Sequence, residues 1–172
     1  TTVGRGQLEK GSKMRIVIAA WAARMPNGAR NAKNFTKWPE LVAMLNAEGH
    51  EVIQVAGQNE ERVEGVAMFL QGFPLEKLEE VLRDCDTWIS VDSWMPHFCA
   101  TMRLKTGIVI WSQSDPRIWG YKHNINLHKP EFLREYQYSH WFDVSYNEDA
   151  FVGPEAVMDA LHGRLALAAS SS

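Results

Sequence analysis

Four short apolar runs, separated by stretches of helical character, constrain this chain more than any other feature. They are Met14–Ala20, Glu51–Ala56 (EVIQVA), Thr87–Val91 (TWISV) and Gly107–Trp111 (GIVIW). Each is too short for a buried helix. Each is apolar at neighbouring positions rather than at alternate ones, which suits a strand covered on both faces. Between them, Lys37–Glu48 reads as a helix. Trp38, Leu41, Val42 and Leu45 recur at helical spacing, Pro39 suits a first turn and Gly49 suits the stop. Glu60–Phe69 also reads as a helix. Leu75–Arg83 carries an apolar stripe of Leu75, Leu78, Val81 and Leu82, and Met95–Leu104 follows the third strand as another helix. Glu135–Val144 holds a candidate fifth strand, and Gly153–Ala168 a closing helix with Pro154 near its first turn.

Strand and helix thus alternate. Repeated β–α alternation with doubly apolar strands implies a parallel sheet with helices on both faces. The expected fold is a three-layer α/β/α Rossmann-like domain spanning residues 14–168. Residues 1–13 are Gly-rich and polar and read as a tag remnant or flexible arm; residues 169–172 read as a tail. A chain of 172 residues fits one such domain with a full core.

Composition narrows the function classes. Apolar residues make up 45% and charged residues 23%, which argues against disorder. The formal net charge is -3, from 18 basic and 21 acidic residues, so no bulk charge draws the chain to nucleic acid or a membrane surface. The run Ile16–Ala23 is too short to span a bilayer, and no signal peptide is visible. Cys85 and Cys99 lie in apolar surroundings without a C-x-x-C pair; they read as reduced, buried thiols of a cytoplasmic protein. No P-loop, G-x-G-x-x-G, H-E-x-x-H or G-x-S-x-G is present. No metal site is expected.

Ligands of parallel α/β sheets bind outside the carboxyl ends of the strands. That rule selects Trp21–Lys33, Gly57–Glu61, Asp92–His97 and Ser112–Trp119. In Asp92-Ser93-Trp94-Met95-Pro96-His97, free N–H groups at a helix start can hold an anion, Ser93 adds a hydroxyl, and His97 lies a turn further on. The plainer alternative is that Asp92 or Ser93 caps the helix and His97 packs beneath it. Lys33, at the end of the first loop, is a mobile cation suited to a phosphate, or else a solvated surface lysine. Arg24 and Arg30 are further cations of that loop. Glu60 can accept both hydroxyls of a ribose, or serve as a first-turn glutamate favoured by the helix dipole. Ser112 and Asp115 line a pocket, or simply build a Ser-Asp-Pro turn. Trp111, Trp119 and Tyr121 nearby can stack on a base or sugar, or pack in the core.

Four stretches, taken in order, resemble the C-terminal, donor-binding half of family 9 glycosyltransferases, the lipopolysaccharide heptosyltransferase group. They are Lys33-Asn34-Phe35-Thr36-Lys37-Trp38-Pro39, then Val55 to Glu60, Val91 to Ala100, and Ile108 to Pro116. The resemblance implies one half of a two-domain GT-B fold that uses nucleotide-diphosphate sugars without an obligatory metal or other cofactor. By the same resemblance, Lys33 meets the donor phosphates and Glu60 holds the ribose. The backbone at Ser93 and Trp94 cradles the diphosphate, and Asp92 and His97 face the sugar-phosphate end as the catalytic candidates. Trp94 stands where the family usually has glycine, and Trp21 and Ala22 stand where it has hydroxyl residues. The family's acceptor site and usual base lie on an N-terminal domain for which 172 residues leave no room. A homodimer or a partner chain is therefore expected to supply the acceptor side. The expected function is glycosyl transfer from a nucleotide-sugar to an acceptor, with no catalytic base identifiable. The alternatives are a non-catalytic nucleotide or nucleotide-sugar binding module, and an interaction domain that has lost its ligand.

Overall fold

A computed structural model describes residues 13–140 and 144–170. Its centre is a six-stranded, wholly parallel sheet of β1 (Arg15–Ala19), β2 (Glu51–Ala56), β3 (Met68–Gln71), β4 (Thr87–Val91), β5 (Ile108–Ile110) and β6 (Ile125–Leu127). The strand order is β3-β2-β1-β4-β5-β6. The helices are α1 (Trp38–Ala47), α2 (Leu75–Asp84), α3 (Trp94–Thr101), the short α4 (Pro116–Trp119) and α5 (Pro154–Ser170).

Alternation along each strand sends side chains to opposite faces. Ile16, Ile18, Val52, Ile89, Val91, Ile108 and Ile110 pack with α1 and α5 residues in one core. Val17, Ala19, Ile53, Val55, Trp88 and Val109 pack with α2 and α3 residues in the other. The expected three-layer fold is therefore the observed one. Helices pack on both faces because the strands are apolar on both faces.

Two element expectations are corrected. Glu60–Phe69 is not a helix: an irregular loop leads into the edge strand β3. Side chains occupy the backbone groups that a helix would pair. Gln54, fully buried in β2, accepts from Val63 N–H and donates to Glu61 C=O; Trp21 Nε1 donates to the same carbonyl. The second correction concerns the partner of β5. It is β6, whereas the described part of Glu135–Val144 forms turns and no strand; residues 141–143 lie outside the described residues. The closing helix runs to Ser170, beyond its expected end at Ala168. Residues 1–12 of the expected arm lie outside the described residues. Lys13 and Met14 lead into β1, and Met14 N–H donates to His50 Nδ1 at 3.0 Å.

Cys85 and Cys99 are buried and unbridged. Burial pushes their thiols up to about 11 and about 12. Among the described residues, no helix is long and apolar enough to cross a membrane.

Candidate functional site

The sheet reverses its winding between β1 and β4, and the crevice at their carboxyl ends is the topological switch point. The loop after β1 folds back over it. Phe35 and Trp38, both buried and meeting edge-to-face at 5.5 Å, anchor the loop's end, and Trp38 Nε1 donates to Ala20 C=O. Two asparagines hold the rest. Asn34 Oδ1 accepts from Ala22 N–H at 2.7 Å. Asn31 donates to Ala23 C=O and accepts from Lys33 N–H. Neither residue stood out in the sequence, because an asparagine that shapes a loop looks like any other polar loop residue.

This folding carries Lys33 across the crevice. Its Nζ lies 3.0 Å from Asp92 Oδ2, with side chains 25% and 11% exposed. Asp92 directly follows β4 and is spent on Lys33; Ser93 flanks α3 without a side-chain cap hydrogen bond. The capping explanation of this segment therefore fails. Packing of His97 beneath the helix fails too, since the ring is exposed. Its Nδ1 meets Tyr121 Oη at 2.9 Å, which leaves Nε2 as the ring nitrogen available to a ligand. The Ser93 hydroxyl is buried without a hydrogen-bond partner. Trp94 turns its ring edge-on to Phe98, 5.7 Å between centroids, and packs against the core on the α2–α3 side.

Two clefts border the first loop, and the smaller one holds the Lys33–Asp92 pair. The larger, about 740 Å³, lies on the β1–β2 side between the first loop and Gly57–Glu61. Glu60 lines it from an irregular loop, so the helix-dipole explanation of this residue no longer applies. Burial raises the Glu60 carboxyl above its ordinary value, and a hydrogen bond from the Gly57 backbone pulls part of that back. Gly57 leaves the room this needs: a Cβ there would sit 3.2 Å from Glu60 Oε1. Arg24 and Arg30 line the same cleft, Arg30 lying 5.0 Å over the Tyr146 ring.

The smaller cleft, about 250 Å³, lies on the β4–β5 side. Lys33, Asp92 and His97 line it together with Ser114, Arg134 and Gln137. Trp119 and Tyr138, exposed and edge-to-face at 5.4 Å, form part of its wall. Gln137 ties this wall together, accepting from Asp115 N–H and donating to the carbonyls of Gln113 and Arg134. Ser112 lines a narrow notch beside this cleft, and its hydroxyl is buried without a partner. Asp115 serves the turn. It accepts from Arg117 N–H as the cap of α4 and takes the Arg117 guanidinium on both oxygens, which lowers its carboxyl. It lines none of these spaces.

The structure therefore groups Lys33, Asp92 and His97 around one cleft, sets Ser93 and Trp94 at the adjacent helix start, and places Glu60 in the other, larger cleft. Ser112 stands at the notch, and Asp115 stands apart. Among the described residues, no group of three or more His, Cys, Asp or Glu could hold a metal ion.

No family model matches the chain, and no curated protein matches it. Solved structures do. The ADP-heptose lipopolysaccharide heptosyltransferase II of E. coli superposes with a TM-score of 0.63 at 17% identity, over 89% of this chain and 46% of that one. The dodecameric iron-containing heptosyltransferase TibC in complex with ADP-D-beta-D-heptose gives 0.62 at 15%, over 88% and 45%. The bacterial iron-containing dodecameric glycosyltransferase TibC from enterotoxigenic E. coli gives 0.63 at 15%, over 88% and 45%. The likeness is one of fold. The chain spans about half the length of these neighbours.

Proposed function

We propose that this chain is a glycosyltransferase-like, donor-binding domain: it holds a nucleotide-diphosphate sugar at the β1–β4 crevice and takes part in moving the glycosyl group to an acceptor. The observation that carries this reading is the Lys33–Asp92 pair at the switch point, with His97 lining the same cleft. The larger cleft suits the nucleoside, with the Glu60 carboxylate toward the ribose hydroxyls. The Lys33 ammonium and the N-terminal end of α3 suit the diphosphate. The smaller cleft, with its aromatic wall, suits the sugar.

In glycosyl transfer the bond from the anomeric carbon to the diphosphate oxygen breaks as the acceptor oxygen bonds to that carbon. The acceptor proton must leave to a base, and negative charge builds on the departing diphosphate. Lys33 and the backbone at Ser93 and Trp94 stabilise that charge. His97 and Asp92 face the reacting end. The chain spans about half the length of its structural neighbours, and the acceptor surface is proposed to come from outside the residues described.

Calorimetry against a panel of nucleoside diphosphates and their sugars tests the reading. At least one should bind, and Lys33→Ala and His97→Ala should each weaken it by about tenfold, the scale of one charge-assisted hydrogen bond. Unchanged affinity in both variants would sink it.

A second reading is a non-catalytic nucleotide-sugar binding module. What favours it is that Asp92, the one carboxylate among the described residues lining the smaller cleft, is tied to Lys33 rather than poised as a base. Release of nucleoside diphosphate from labelled nucleotide-sugars, with and without candidate acceptors, separates the two.

A further inference from the structure

Arg134 enters the site from the segment after β6, and no role assigned so far accounts for it. Its Nη2 donates to Gln137 C=O at 2.7 Å, while Nε and Nη1 are buried without a partner. Among the described residues, the guanidinium therefore meets one neutral carbonyl and no carboxylate. Buried N–H groups left unpaired in this way are costly, and native proteins keep few of them. The Ser112 hydroxyl is orphaned in the same way. Arg134, Ser112, Ser114 and Lys33 line one notch of about 10 Å³, space for about one oxygen atom. The notch is continuous in its residues with the smaller cleft, since Lys33, Ser114 and Arg134 line both.

The charge balance of the cleft points the same way. Among the described residues, Asp92 is the carboxylate that meets Lys33, and none meets Arg134. A single water in the notch would offer an acceptor and leave the guanidinium charge uncompensated. An oxyanion offers an acceptor and the compensating charge together.

We propose that Arg134, with Ser112 and the ammonium of Lys33, forms an oxyanion subsite at the glycosyl end of the crevice. It would take one oxygen of the donor's terminal phosphate or of a carboxylate carried by the sugar. This rests on the nucleotide-sugar reading and names the chemistry of its glycosyl end.

The probes are glucose 1-phosphate and glucuronic acid 1-phosphate, which need no knowledge of the base. Each is titrated by saturation-transfer NMR into the whole chain and into Arg134→Gln and Ser112→Ala, with thermal unfolding as the folding check. Removing the guanidinium should weaken the anion it holds by about tenfold, and Ser112→Ala should weaken the same one by about threefold. Equal weakening of both probes assigns the subsite to phosphate. Weakening of the glucuronic acid probe alone, down to the level of the glucose probe, assigns it to a sugar carboxylate. Affinities within about twofold of the parent for both probes in folded variants would overturn the subsite, as would failure of both probes to bind the parent chain. Ser112→Ala keeps the test open if Arg134→Gln does not fold. Titrating nucleoside diphosphates into the same proteins separates the two proposals. If Lys33→Ala loses them while Arg134→Gln keeps every ligand, only the subsite fails. If a sugar phosphate binds through Arg134 and no nucleotide binds, only the nucleotide-sugar reading fails.

Discussion

Glu60 is a carboxylate kept at a cost to the fold. Its carboxyl is raised because burial disfavours the charged form. A raised carboxyl means that the folded chain holds its proton more tightly than the unfolded chain. Stability is then greatest when both states are protonated, and it falls as pH rises from the ordinary value of 4.5 through the raised one. Glu60→Gln removes the charge and keeps the shape. Urea denaturation should find it at least as stable as the parent at neutral pH, with the difference closing below 4.5, while calorimetry finds nucleoside binding weakened. A neutral-pH loss of stability would contradict the assignment. The sequence pointed to Glu60, Lys33, Asp92 and His97 because each follows a strand end and bears a charge or ring nitrogen suited to a phosphate or ribose. It did not point to Arg134, Asn31 or Asn34. What singles out Arg134 is that its Nε and Nη1 are buried without partners, and pairing across distant segments leaves no local trace in a sequence.

At the scale of elements, strands buried on both faces were legible and edge strands were not. β1, β2, β4 and β5 announce themselves as apolar runs, whereas β3 exposes Met68 and β6 is three residues of mixed polarity. Edge strands are set by what the neighbouring strand offers, which a local pattern does not contain. The start of β5 depends on a close approach: a Cβ on Gly107 would fall 2.2 Å from the Trp88 ring, which is fully buried and donates from Nε1 to Lys105 C=O. Gly107→Ala should cost about 1–3 kcal/mol, read by chemical denaturation, because the indole has no room to retreat. At α4, Asp115→Ala removes both the cap and the partner of Arg117. A loss of about 1 kcal/mol is expected near neutral pH. Because the Asp115 carboxyl is lowered, that contribution is present above its ordinary value of 3.8 and vanishes as pH falls through the folded value. A penalty unchanged in acid would mean that the side chain acts by packing alone.

For the whole molecule, the three-layer architecture followed from the alternation of apolar runs and helices, and the strand order then placed the crevice. Element identity carries over from sequence to fold because burial on two faces is a property of each strand by itself. Strand order is a property of the set, and it is the order that brings the loop after β1 against the end of β4. The Lys33–Asp92 contact spans that seam. It works as a latch: the ammonium of Lys33 and the carboxylate of Asp92 each hold the other. Under the proposed function, a diphosphate that drew Lys33 to itself would unfasten Asp92 in the same motion, and occupancy and the exposure of a proton acceptor would be one event.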